Sequence, residues 1–296
     1  MISEMEIMKT EDVFNRSGLA SLSDLNSSVC KNIFSKLEKE QDNFLKKESE
    51  FRSEGYKWPR DPLHNWSRAW EYPYVYYHLV KHLNALSQKL LPKVADVGSG
   101  VTFFPFSLAK LGYQVVCTDI DRICEKDLLF SRAFVPHSPG TIDFRLIEDS
   151  DIPFENSECD ALYCISVLEH IPDFEKTISE MARILKPGGL CLITCDINLS
   201  PENGLQLDCH QYGRLISSIE KNFVRICPDL TIHPVDLLTS KNSIYPLECE
   251  PLGIIRYGYR IAKQKVLKPL FGRKSGKVRF DDNLFAVLGL VLRKKM

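Results

Sequence analysis

The sequence predicts an α/β protein with a doubly wound, largely parallel sheet, on three observations. From Val94 onward, short apolar runs alternate with helical patterns. The first run, VADV, leads into Gly98 and Gly100, and the second ends on an acid, Asp119. Ligands of such sheets bind at the carboxyl ends of the strands, so the residues just after each run are the candidates for function.

The elements follow in order along the chain. Val29, Ile33, Leu37, Phe44 and Phe51 recur at helical intervals among Lys and Glu, and Gly55 and Pro59 end that amphipathic helix. KWPRDPLHNWSRAWEYPYVYYHL contains Trp58, Trp66 and Trp70 together with a cluster of tyrosines, a density that means core, interface or an aromatic wall over a ligand. Val75, Leu79, Leu83 and Leu86 predict a helix from Tyr74 to Leu91, stopped by Pro92. Residues 1–91 thus form a helical and aromatic extension ahead of a domain over 92–296. Within that domain VADVG and YQVVCTDID read as strands, with a helix FFPFSLAKLG between them that Gly112 stops. A helix ICEKDLLFSRAF, strands TIDFRLIE and CDALYCISVL, a helix FEKTISEMARIL, a turn KPGG and a strand LCLITCDI complete the alternation. An insertion over about 236–280 separates the region VRICPDLTI from a final apolar run, LFAVLGLVL.

The chain has 296 residues, 44% apolar and 26% charged, with 38 Lys+Arg against 39 Asp+Glu. This is an ordinary globular composition with no excess of bases, so nucleic acid is not an expected partner. MISEMEIMKTEDVF has acids where a secretory signal needs bases, and no apolar run approaches the ~20 residues of a membrane span, so a cytoplasmic protein is expected. The ten cysteines are scattered without a CxxC pair and read as reduced, mostly buried thiols. His78 and His82, four apart in HLVKH, read as residues of a helix surface, with no third ligand evident, and no metal is expected.

The loop Asp96-Val97-Gly98-Ser99-Gly100 lets a ligand approach the backbone ahead of a helix N-terminus. Position 103 is Phe where a dinucleotide fingerprint needs its third glycine, which argues against a nicotinamide oxidoreductase. Asp119 is placed to accept hydrogen bonds from ribose hydroxyls, the competing reading being a cap for the helix that starts near Asp121.

VADVGSGVTFFP, VVCTDID, EDSDIPFENSECDALYCISVLEHIPD and ILKPGGLCLIT, in this order, resemble the successive motifs of class I S-adenosylmethionine-dependent methyltransferases. The resemblance implies a Rossmann-like seven-stranded sheet, six strands parallel and the last, LFAVLGLVL, antiparallel. It implies S-adenosylmethionine as cofactor. Asp96, Gly98, Ser99 and Gly100 would lie against its methionine and ribose portions, Asp119 would hold the ribose, and Ile120 would pack on the adenine. Glu148 and Asp149 would address the adenine edge, and Cys164 to Val167 would line the methyl-transfer channel. Thr102 departs from the family, many members having a third glycine there. GSGVTFFP and WEYPYV are also similar to methyltransferases of glycan and natural-product pathways.

The sulfonium cofactor is already activated, so such a site mainly aligns an O or N nucleophile, with a general base where a proton must leave. Glu169 and His170 after the fourth strand, Asp196 after the fifth and His210 at the start of the next helix are the candidate bases, each with a plain capping or loop role as its competitor. The expected function is methyl transfer to a small molecule or sugar-containing metabolite, and a fold retained without turnover is the alternative. From Pro251 to the end the chain has twelve Lys+Arg against Asp281 and Asp282, a local net of +10. That section reads as a solvated face, as a contact to an anionic membrane bearing a lipid-linked substrate, or as an RNA contact.

Overall fold

A computed structural model describes residues 13–83, 91–148, 151–200, 207–245 and 283–296. Its sheet is made of β1 (Gly18–Leu19), β2 (Lys93–Val97), β3 (Gln114–Asp119), β4 (Thr141–Leu146), β5 (Cys159–Ile165), β6 (Leu185–Asn198), β7 (Phe223–Arg225) and β8 (Phe285–Lys294). The helices are α1 (Leu22–Asn26), α2 (Ser28–Leu45), α3 (Glu48–Phe51), α4 (Arg68–Leu83), α5 (Phe104–Ala109), α6 (Arg122–Ser131), α7 (Phe174–Ile184) and α8 (Cys209–Asn222).

The strands run in the order β4-β3-β2-β5-β6-β8. β2 to β6 pair in parallel, and β8 is antiparallel to β6 over Leu190–Asn198. On the far edge of β8 lie two short strands end to end, β7 against Leu292–Lys294 and β1 against Leu288–Gly289. β2 to β7 with β8 make the expected six parallel strands and one antiparallel. β1 is an eighth strand that the sequence did not announce: two residues show no alternation, and only the open edge of β8 makes them a strand. KPGG is a four-residue excursion inside β6, where the register jumps between Cys159/Leu185 and Ala161/Leu190.

Both faces of the sheet are buried, which is why its strands are continuous apolar runs. Val94, Ala161, Tyr163, Leu190, Leu192, Val287 and Val291 face one layer; Ala95, Leu162, Cys164, Cys191, Ile193, Leu288 and Leu290 face the other. The first layer is built by the N-terminal segment with α2, α4, α5 and α6, the second by α7 and α8. The aromatic segment is mainly core. Trp66, Trp70, Tyr74 and Tyr77 are fully buried, while Trp58 is exposed. Trp70 and Tyr74 stack at 4.3 Å and lie over Gly289 of β8, where an added Cβ would come within 2.6 Å of the indole.

α4 begins six residues before the expected start, and Pro73 inside it removes one ladder hydrogen bond. Burial of nearly every residue from Ala69 to Val80 against the sheet outweighs that loss. The remainder of the predicted helix, 84–90, lies outside the described residues. α4 is covered on both sides, so His78 is buried rather than on a helix surface, its Nε2 2.7 Å from the Phe14 carbonyl oxygen. The helix is tied down by Asp24, which is buried and accepts from Arg16, from the Trp70 indole at 2.7 Å and from the Ser21 amide at 3.1 Å. The nine described cysteines form no disulfide with one another, and only Cys209 among them is exposed. Among the described residues no helix is long and apolar enough to cross a membrane.

Candidate functional site

The carboxyl ends of β2, β3, β5 and β6 meet in one region. After β2 the chain turns through Gly98 (φ +77°) and Gly100 (φ +54°), the left-handed region in which a Cβ is disfavoured. The Gly98 and Ser99 amides both donate to the Thr118 carbonyl at 2.9 Å, holding the loop onto the end of β3. Asp119 accepts from the Gly100 amide at 3.0 Å and from the Asp121 amide at 3.1 Å. Capping of α6 belongs to Asp121, whose carboxylate accepts from the Ile123 amide. Asp119 therefore anchors the glycine loop, 8% exposed, and Ile120 beside it is 76% exposed, an apolar side chain presented at a strand end. Asp96 accepts from the Tyr163 hydroxyl at 2.7 Å, and burial pushes its pKa up to about 8.

The N-terminal extension clamps this loop from outside. The Tyr56 hydroxyl lies 3.1 Å from the Val101 amide, which donates to it, and Arg52 donates to the Val101 carbonyl at 3.1 Å while stacking over the Tyr56 ring. Ser53 donates through its amide and hydroxyl to Asp127 of α6. Sequence patterning missed all three, since they fall in a short connection without periodicity.

On the other side of Gly98 is the loop after β5. An added Cβ at Gly98 would fall 2.5 Å from the Val167 side chain, so the two loops are in close contact. Ser166 beside it has φ +45°, a strained value for a residue with a side chain, and donates to Glu71 at 2.8 Å. Glu71, on α4, is fully buried and also accepts from Arg68. Glu169 accepts from the Asp196 amide at 3.2 Å, and Glu169 Oε2 and Asp196 Oδ1 are buried with no hydrogen-bond partner. Burial, with Glu71 next in effect, raises the Glu169 pKa to about 7; burial and the Glu169 charge raise that of Asp196 well above the ordinary carboxylate value. Glu169 and Asp196, desolvated side by side, thus both favour the protonated form. Glu71 and Arg68 were not among the residues picked from the sequence. A charged pair inside the apolar run RAWEYPYVYY was their signature, because charges in a buried helix survive only when paired.

The remaining candidates are dispersed. Cys164 is fully buried among apolar residues of the second layer, which leaves its backbone as the part able to face a ligand. Glu148 is exposed and paired with Arg122 at 2.6 Å, and Asp149 lies outside the described residues. His170 is exposed at the end of a 3₁₀ turn, Leu168–His170. His210 is exposed at the start of α8, which Asp208 and Gln211 cap, and lines a shallow groove with Glu175, Arg214 and Lys221 that includes no residue of the glycine loop or the carboxylate group. The basic stretch 251–279 lies outside the described residues.

Residues 95–193 match the family model described as a methyltransferase domain. The ubiquinone biosynthesis O-methyltransferase of Xanthomonas oryzae pv. oryzae is 34% identical over 110 residues, 37% of this chain and 44% of that protein. The enzyme of the same name from Chromobacterium violaceum is 36% identical over 98 residues, 33% of this chain and 41% of its own length. The match therefore spans less than half of these curated relatives. Among solved structures, the 4+2 cyclase SpnF superposes with a TM-score of 0.50 at 17% identity, over 86% of this chain and 92% of that one, and shows the same fold. Residues 95–193, similar to a methyltransferase domain, carry the glycine loop and the strand order β3-β2-β5-β6 that the resemblance to class I methyltransferases implies.

Proposed function

We propose that this protein is an S-adenosylmethionine-dependent methyltransferase acting on an oxygen or nitrogen of a small molecule. The names of the relatives favour oxygen. The observation that carries the reading is the glycine loop hydrogen-bonded to the strand-end carboxylate of Asp119 and packed on the loop after β5. The cradle fits the cofactor: Gly98 and Gly100 have backbone that a side chain would obstruct, Asp119 retains lone pairs for ribose hydroxyls, and Ile120 offers an exposed apolar surface for a purine.

When bound, the cofactor supplies a sulfonium-activated methyl group. The chain's own contribution is alignment, worth roughly 7–11 kcal/mol in well-oriented reactions, and removal of a proton. Glu169, with a pKa near 7, is part-ionised at neutral pH and accepts that proton from the acceptor hydroxyl, with Asp196 sharing the charge. Glu71 and Arg68 hold the group in place from α4, which assigns the N-terminal extension a part in building the acceptor side. His170 is the alternative base, at the same strand end. A sugar-containing acceptor is the finer assignment, and attraction of residues 251–296 to an anionic membrane is the corresponding partner assignment, tested by liposome flotation at low salt.

The test is calorimetric titration with S-adenosylmethionine. Loss of charge-assisted hydrogen bonds worth about 1.5–3 kcal/mol each predicts affinity lower by roughly 10- to 100-fold in Asp119→Ala. Unchanged affinity removes the ribose assignment. The similarity to a cyclase supports a second reading, a methyltransferase fold without methyl turnover. Metabolite profiling of a deletion strain for products lacking one methyl group separates the two.

A further inference from the structure

α4 brings His78 and His82 onto one side of the helix, and the fold adds Cys227, just beyond β7, to them. We propose that His78, His82 and Cys227 form a zinc site that ties α4 to the segment following β7. One donor atom of each lies within 4.8 Å of the other two. Zinc–ligand lengths of about 2.0–2.3 Å require neighbouring donors roughly 3.3–3.8 Å apart, so the three need to close by no more than about 1.5 Å.

Each residue has the chemistry the ion needs. His78 places Nε2 2.7 Å from the Phe14 carbonyl oxygen, which can only accept. Nε2 therefore carries the proton, and the lone pair that can ligate is on Nδ1. A backbone carbonyl on the far ring nitrogen is also the outer contact that orients ligating imidazoles. His82 stacks beside His78, ring centroids 5.7 Å apart and planes within 9°, and its Nε2 is shut off from solvent without a hydrogen-bond partner. Cys227 is buried with Sγ 3.4 Å from Asn15 Oδ1. On binding, the thiol loses its proton to solvent and the thiolate joins the ion, and a turn of the Asn15 amide presents N–H to the sulfur. Two imidazoles and one thiolate suit zinc, which leaves one coordination position for a further ligand.

The site shares no residue with the glycine loop or the carboxylate group, so it stands or falls independently of the proposed activity. Its outer contacts, Phe14 and Asn15, belong to the segment leading into β1. A bound ion would thus fasten three parts of the chain at the open edge of β8.

The test uses the full chain, stripped with a chelator and titrated with zinc against a chromogenic competitor. One equivalent is expected, with affinity at least about 100-fold weaker in His82→Gln and in Cys227→Ser, and a zinc-dependent rise in melting temperature confined to the unmodified chain. Cobalt substitution should give a thiolate charge-transfer band that disappears in Cys227→Ser. His82→Gln changes a half-exposed position, so its circular dichroism should stay native and keep the comparison decisive. No zinc binding above that of His82→Gln, a cobalt band that persists without Cys227, or uptake of copper(I) with no uptake of zinc would each overturn the proposal.

Discussion

Replacing Gly98 with alanine examines whether the loops after β2 and β5 form one rigid unit. The new methyl would sit 2.5 Å from Val167 Cγ2 and 2.7 Å from Cγ1, and the backbone there has φ +77°. Left-handed backbone costs a non-glycine residue about 1–2 kcal/mol, and overpacking of this kind about 1–3 kcal/mol. Together these predict a loss of about 2–5 kcal/mol, read by urea denaturation, with weakened S-adenosylmethionine binding because the displaced loop bears the Gly100 amide that anchors Asp119. Val167→Ala removes both offending methyl groups. In the Gly98→Ala/Val167→Ala protein the steric part should vanish while the backbone part remains, giving a favourable coupling of about 1–3 kcal/mol in a double-mutant cycle. Strict additivity, with Gly98→Ala no worse beside valine than beside alanine, would refute the close packing of the two loops and with it the physical link between cofactor cradle and carboxylate group.

Three further outcomes follow from the same structure. Gly289→Ala would force the stacked Trp70–Tyr74 pair off β8 and should destabilise the fold by about 1–3 kcal/mol, whereas a neutral result in thermal melts would contradict that packing. Asp24→Ala leaves Arg16 and the Trp70 indole buried without their acceptor and should cost about 3–5 kcal/mol in denaturant melts. Glu169 has a folded-state pKa of about 7, above its unfolded value, so the native state binds the proton more tightly and stability should fall as pH rises from about 4.5 to 7. Glu169→Gln should flatten that part of the pH–stability curve, and an unchanged slope would place the titration elsewhere.

Where a residue's role depended on its near neighbours in the chain, the sequence made it readable. Short continuous apolar runs marked β2, β5, β6 and β8, and the paired glycines with Asp119 marked the cradle. Its limits are equally physical. β1 is a strand only because β8 has an open edge, so Gly18 and Leu19 have no pattern of their own. The apolar spacing predicted a helix from Tyr74, and burial of the aromatic face starts it at Arg68 in spite of Pro73. Glu169 and Asp196 could be chosen as strand-end carboxylates, but the upward shift of both comes from their burial together, with Glu71, on a helix nearly a hundred residues earlier, adding to it.

By itself, then, the sequence determined the class of fold, the glycine loop and the acid that anchors it, because each is written in contiguous residues whose spacing reflects local backbone geometry. Tertiary structure alone decided which distant side chains share a desolvated space. It placed Glu71 and Arg68 beside Glu169 and Asp196, turned the aromatic segment into core with Gly289 beneath it, and set Cys227 next to His78 and His82. Charge interactions and ligand geometry depend on separation in space and on exclusion of water, and the order of residues along the chain encodes neither directly.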